Sequence, residues 1–139
     1  MYVTVKTNFR GDHNLENQHP IMCQNIIVMR HGERIDNFVP SWISTAARPW
    51  DPPLTQPGQV QAFQIGKSIR QSLGLPIHRL IVSPFLRCIQ TAAELAVALS
   101  AINDVRESDI SDNILIDPSK VKVRYCFIYL LRKLIKISS

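Results

Sequence analysis

The sequence predicts an α/β fold, a parallel sheet in a three-layer sandwich. Three observations lead there. Short, mostly apolar runs alternate with longer segments of helical period. The order along the chain is β-α-β-α-β, which favours right-handed crossovers between parallel strands. The 139 residues, 45% of them hydrophobic and 19% charged, suffice for one small domain and not two.

Residues 1–20 read as a flexible lead-in, polar and broken by Gly11, Asp12, Asn14 and Asn17. Residues 25–29 (NIIVM) form the first strand, apolar enough for a sheet covered on both faces. Residues 30–54 make a long irregular segment with Pro40, Pro49, Pro52 and Pro53, and loops of that length are usually functional or poorly ordered. Thr55 can cap a helix that tolerates Pro57 in its first turn. Ala62, Ile65, Ile69 and Leu73 give that helix one apolar stripe, and Gly74 and Pro76 stop it. Residues 79–82 (RLIV) form the second strand. Ser83-Pro84 offers a capping hydroxyl and a proline for the next helix, which Ile89, Ala92, Ala93, Ala96 and Leu99 continue. Residues 103–119 are a loop by composition, and Val121 to Val123 open a third strand.

The net charge of +5, from 16 basic and 11 acidic residues, first suggests an acidic partner. Six of the basic residues lie from Lys120 onward with no acid among them, which leaves residues 1–119 at −1. The excess sits in a tail and not on a folded patch, so nucleic acid is not an expected partner. Cys23, Cys88 and Cys126 have no metal-ligand spacing. With an odd count and no apolar leader in the first twenty residues, they read as reduced thiols of a cytoplasmic protein. No uncharged apolar run approaches the ~20 residues that span a bilayer.

Ligand sites in such sheets lie beyond the carboxyl ends of the strands. The first strand runs into Arg30-His31-Gly32 and the second into Ser83, with Arg87 a turn further on. If the two strands are neighbours, one crevice receives a histidine and several arginines. Guanidinium forks match phosphoryl oxygens and stay charged. A helix amino end adds positive potential, and an imidazole among them can attack phosphorus. Taken alone, a histidine at a strand end is more often a satisfied polar residue, and a lone arginine is usually solvated. The joint pattern is what favours chemistry. Glu33 and Asp36 either pair with the arginines or act as acids, pairing being the better fit among cations. Ser83 and Thr91 read as caps or packing groups. Trp42, Trp50 and the segment 48–51 (RPWD) either line a substrate entrance or anchor their loop.

The stretches 26–36 (IIVMRHGERID), 52–62 (PPLTQPGQVQA) and 81–92 (IVSPFLRCIQTA), in that order, resemble the histidine phosphatase (phosphoglycerate mutase-like) superfamily. The resemblance covers about residues 25 to 123. The RHGER form looks closer to the branch of eukaryotic mutase-like proteins and Sts-type phosphatases than to glycolytic mutases. The resemblance implies that His31 is the nucleophile that becomes phosphohistidine and that Arg30, Arg34 and Arg87 hold the phosphate. Glu33 and Asp36 remain as acid or supporting groups, with no metal and no cofactor. The implied partner is a phosphorylated small molecule or a phosphoprotein.

The family carries a second phosphate-binding histidine late in the chain and an acid after the third core strand, and neither has a counterpart here. His13 and His19 precede the core, and His78 reads as structural. The expectation is therefore a truncated domain: a flexible segment at 1–20, the N-terminal half of a histidine phosphatase domain at 21–123, and a divergent basic apolar tail at 124–139. Membrane contact by the tail is not expected, because its apolar positions suit a short buried strand as well. Impaired phosphomonoester hydrolysis is the leading function. The alternatives are an inactive phosphate- or phosphoprotein-binding module and an unstable fragment.

Overall fold

The computed structural model describes residues 2–4, 26–73, 76–105 and 114–125. The remainder of the lead-in, Gly74, His13, His19, Cys23, Cys126 and the tail from residue 126 lie outside the described residues. The elements are β1 (Tyr2–Thr4), β2 (Ile26–Val28), a 3-10 turn (Ile35–Asn37), α1 (Trp42–Thr45), α2 (Gln56–Leu73), β3 (Arg79–Val82), α3 (Leu86–Ser100) and β4 (Lys122–Tyr125). This is mixed α/β architecture.

The sheet order is β2-β1-β3-β4. β3 and β4 pair in parallel, as the alternating element order requires, with Leu80 opposite Val123. The expectation of a wholly parallel sheet is corrected by β1. It lies antiparallel between β2 and β3, Tyr2 opposite both Val28 and Ile81. A three-residue strand in a polar context has no period long enough to register in the sequence. Because β1 opposes both neighbours, β2 and β3 still run the same way, and their carboxyl ends share one sheet edge. They are not adjacent but are separated by one strand, about 10 Å at ordinary strand spacing.

The core lies between the sheet and its helices. Leu80 and Val82 of β3 are fully buried and pack with Ile77, Cys88, Ala92, Leu95 and Val121, while Ile27 of β2 and Met29 just after it add to this cluster. A second cluster joins Phe63 of α2 to Ala98, Ala101 and Val105. Cys88 is a free, buried thiol. β2 is not covered on both faces as expected, since Ile26 and Val28 are each 60% exposed.

The buried face of α2 overlaps the aliphatic stripe at Ala62 and Ile69 but is shifted from it. Gly58, Ala62, Phe63, Gly66 and Lys67 are inward, whereas Ile65 and Leu73 are largely exposed. Close approach explains the difference. A methyl group on Gly66 would stand 2.8 Å from Ala98 Cβ and 3.3 Å from Leu95 Cα, so α2 and α3 meet across a seam of small residues. Hydropathy patterns weight large aliphatics and do not register glycines that serve as packing surface. Among the described residues, no helix is long and apolar enough to cross a membrane.

Candidate active site

Three separate stretches of chain meet beyond the β2 and β3 tips. The backbone leaving β2 is strapped to residues 53–55: Ile35 N donates to Pro53 O at 3.0 Å, Thr55 N donates to Glu33 O at 2.9 Å, and Arg34 bridges Leu54. Leu54 N in turn donates to Gln90 Oε1 of α3 at 2.8 Å. Thr55 caps α2 as its sequence position indicates, its hydroxyl accepting the Gly58 amide at 3.0 Å. Gly58 presses on the strand-end loop so closely that its own Cβ, if present, would lie 2.5 Å from Glu33 O.

His31 sits half-buried on this loop. Its Nδ1 is 2.8 Å from Gly32 O. A carbonyl only accepts, so in the neutral ring Nδ1 carries the proton and Nε2 keeps its lone pair. Burial lowers the His31 pKa from the ordinary value, and the positive charges of Arg87, Arg30 and Arg34 lower it further, against the upward pull of the Gly32 carbonyl. Of the three predicted arginines, Arg30 lines the same cleft as the ring. The ring is expected to titrate below pH 6.5 in NMR, staying neutral and nucleophilic at pH 7. Arg87→Ala, which removes a positive charge, is expected to move that titration upward. Titration at or above 6.5 in the unmodified chain would contradict this electrostatic picture.

The arginines are held differently. Arg30 is exposed on the wall of a cleft of about 380 Å³, which Met29, His31, Gly32, Glu33, Asn37, Gln61, Ala62 and Ile65 also line. Arg34 forms a two-pronged ion pair with Asp36, Nε to Oδ1 at 2.9 Å and a terminal nitrogen to Oδ2. That contact is the main reason the Asp36 carboxyl is held below the usual carboxylate range. Arg87 lies over the Phe85 ring, 4.3 Å from its centroid, and 3.8 Å from Asp51. Its Nε is buried with no acceptor among the described residues.

The cap expected from Ser83 is corrected. α3 begins after Phe85 with no side-chain cap of its own. Its first amide, Leu86 N, donates instead to Asp51 Oδ1 at 2.7 Å. Asp51 is almost wholly buried, and Arg48 approaches its other oxygen at 3.3 Å. One carboxylate from the proline-rich loop thus caps α3 and meets two guanidinium groups. Sequence reasoning treated residues 48–51 only as entrance or anchor. A cap supplied from 35 residues away leaves no local pattern to read.

Thr91 is likewise more than a packing group. It is fully buried, and its hydroxyl accepts the Gly32 amide at 3.2 Å while donating to Arg87 O at 2.7 Å. Trp42, Arg48 and Asp51 line a second hollow of about 350 Å³ with Ala46, Ala47, Pro53 and Leu86, while Trp50 is 66% exposed. His78 is exposed at the start of β3 and takes no part. Among the described residues, no group of three or more His, Cys, Asp or Glu side chains could hold a metal ion.

Fold and site together describe an α/β protein with His31 on the loop that leaves β2, Arg30 on the wall of the same cleft and Arg87 in the first turn of α3. A family model for the histidine phosphatase superfamily (branch 1) matches residues 26–112. That span is more than half of the chain, and the chain belongs to the histidine phosphatase superfamily. Neither the curated proteins nor the solved structures compared with it give a match. Membership points to phosphatase or mutase-type activity.

Proposed function

We propose that the chain is a phosphomonoester hydrolase that works through a phosphohistidine at His31. The observation that carries this reading is a histidine whose Nδ1 is tied to Gly32 O and which shares its cleft with Arg30 and Glu33. His31 Nε2 attacks phosphorus as the ester P–O bond breaks. The guanidinium groups stabilise the charge on the equatorial oxygens. Water then cleaves the N–P bond and releases phosphate. Of the two carboxylates, Asp36 is committed to Arg34, whereas Glu33 lines the His31 cleft and is the one we assign to protonating the leaving oxygen. No metal or organic cofactor enters the scheme.

The RHGER form favours a phosphatase of the Sts-like branch over a mutase. The substrate class is a phosphorylated small molecule or a phosphoprotein, met in a reducing compartment such as the cytoplasm. The architecture we assign is the phosphoglycerate mutase-like three-layer sandwich. Removing the assigned proton donor, as in Glu33→Gln, is expected to slow loss of a poor leaving group by about 10²–10⁴.

Hydrolysis of p-nitrophenyl phosphate, whose good leaving group tolerates a weak acid, tests the reading. Slow phosphate release by the wild-type chain that vanishes in His31→Ala is expected. Equal rates in the two proteins would refute it. Orthovanadate binding without any turnover would favour the alternative of an inactive phosphate-binding module.

A further inference from the structure

Thr91 occupies a position that neither catalysis nor simple packing explains. It lies one turn after Arg87 on α3, fully buried, with its hydroxyl committed in both directions. The hydrogen on Oγ1 goes to Arg87 O at 2.7 Å, which leaves an oxygen lone pair facing the Gly32 amide at 3.2 Å. Gly32 is the residue whose carbonyl holds His31 Nδ1. The other side of Gly32 is closed by Gly58, whose carbonyl oxygen would lie 2.3 Å from a Cβ added there.

We propose that Thr91 is a positioning residue for His31, acting through the Gly32 backbone. By fixing the Gly32 amide, the hydroxyl holds the peptide unit shared with His31, and the Gly58 contact restricts the turn on to the Gly32 carbonyl. That carbonyl selects the ring tautomer with the proton on Nδ1 and aims Nε2 outward. The same hydroxyl ties the loop to the helix that carries Arg87, so imidazole and guanidinium keep their relative placement. Glycine, free of a side chain, cannot supply such a constraint itself, and a small displacement of a nucleophile is costly in rate. The proposal rests on the phosphohistidine reading for its rate consequence. Its tautomer consequence is independent of that reading.

The test compares Thr91→Val, which keeps the shape and loses the hydroxyl, with Thr91→Ser, which keeps the hydroxyl. In Thr91→Val the rate of His31 phosphorylation is expected to fall by about tenfold or more, from misplacement of the ring. In the same variant, ¹⁵N NMR of the ring is expected to show a mixture of tautomers where the wild type shows the Nδ1–H form. Thr91→Ser is expected to retain the wild-type tautomer and a rate within about threefold, since the hydrogen-bonding group survives. A Thr91→Val protein with the wild-type tautomer, or a Thr91→Ser protein as impaired as Thr91→Val, would overturn the proposal. Hydrogen exchange in the unmodified chain keeps the test decisive if Thr91→Val does not fold. The Gly32 amide is expected to exchange slowly, and exchange at the rate of an open loop would overturn the assignment. Absence of phosphohistidine, with the tautomer and exchange results as expected, would refute only the catalytic reading.

Discussion

Asp51→Ala is expected to cost the fold about 3–5 kcal/mol, the range for removing one partner of a buried ion pair. Asp51 is almost wholly buried and serves three groups: the Leu86 amide at 2.7 Å, Arg48 at 3.3 Å and Arg87 at 3.8 Å. Loss of the exposed Arg48 contact matters least, because surface ion pairs are worth about 0–1 kcal/mol. The large terms are the uncapped first amide of α3 and the stranded Arg87 charge, which is only 16% exposed. Asp51→Asn separates them. Its side-chain oxygen can still accept from Leu86 N while the charge is gone, so its loss is expected to be smaller. Vanadate affinity should fall in both variants as Arg87 loses its anchor. Chemical denaturation checks the order, and a midpoint for Asp51→Ala equal to that of wild type would contradict the assigned role.

Gly58→Ala is the second large effect. Alanine in a helix interior is ordinarily better than glycine by about 1 kcal/mol. Here the added Cβ would stand 2.5 Å from Glu33 O and 2.7 Å from Glu33 N, both backbone atoms strapped in place by the neighbouring segment. Backbone cannot swing aside as a flexible side chain can. The overpacking cost, at about 3 kcal/mol, exceeds the propensity gain and leaves a net loss of about 2 kcal/mol. The loop it displaces is the one that carries His31, so phosphorylation is expected to drop more than stability does. Thermal melts beside phosphorylation rates test this. A Gly58→Ala protein that melts higher than wild type would show that the loop gives way freely.

These two positions also show what could be read in advance. β3 was legible because RLIV is an apolar run between a proline and Ser83-Pro84, and it folds over the residues expected. The α2 start was legible because a local hydroxyl at Thr55 does the capping. The α3 start was not, because its cap comes from Asp51 across the fold and Ser83 is bypassed. The working face of α2 was legible at Ala62 and Ile69 and not at Gly58 and Gly66, which contribute nearness and no hydrophobicity. β1 was hidden in a polar lead-in, and its insertion turned an expected adjacency of β2 and β3 into a next-nearest relation. Strand direction still puts the carboxyl ends of β2 and β3, which His31 and Arg87 follow, on the same side of the sheet. Glu33 and Asp36 looked alike in sequence. Only the fold separates the ion-paired Asp36 from the cleft-lining Glu33.

The central claim is that three guanidinium groups make the residue-31 imidazole a phosphoryl acceptor. Rapid quenching of the chain with a labelled phosphomonoester, followed by peptide mapping under alkaline conditions, tests it most directly. The account predicts acid-labile, alkali-stable label on the peptide containing His31, sharply reduced by Arg87→Ala or Arg30→Ala. Label on a different residue, or equal labelling of His31→Ala, would contradict it.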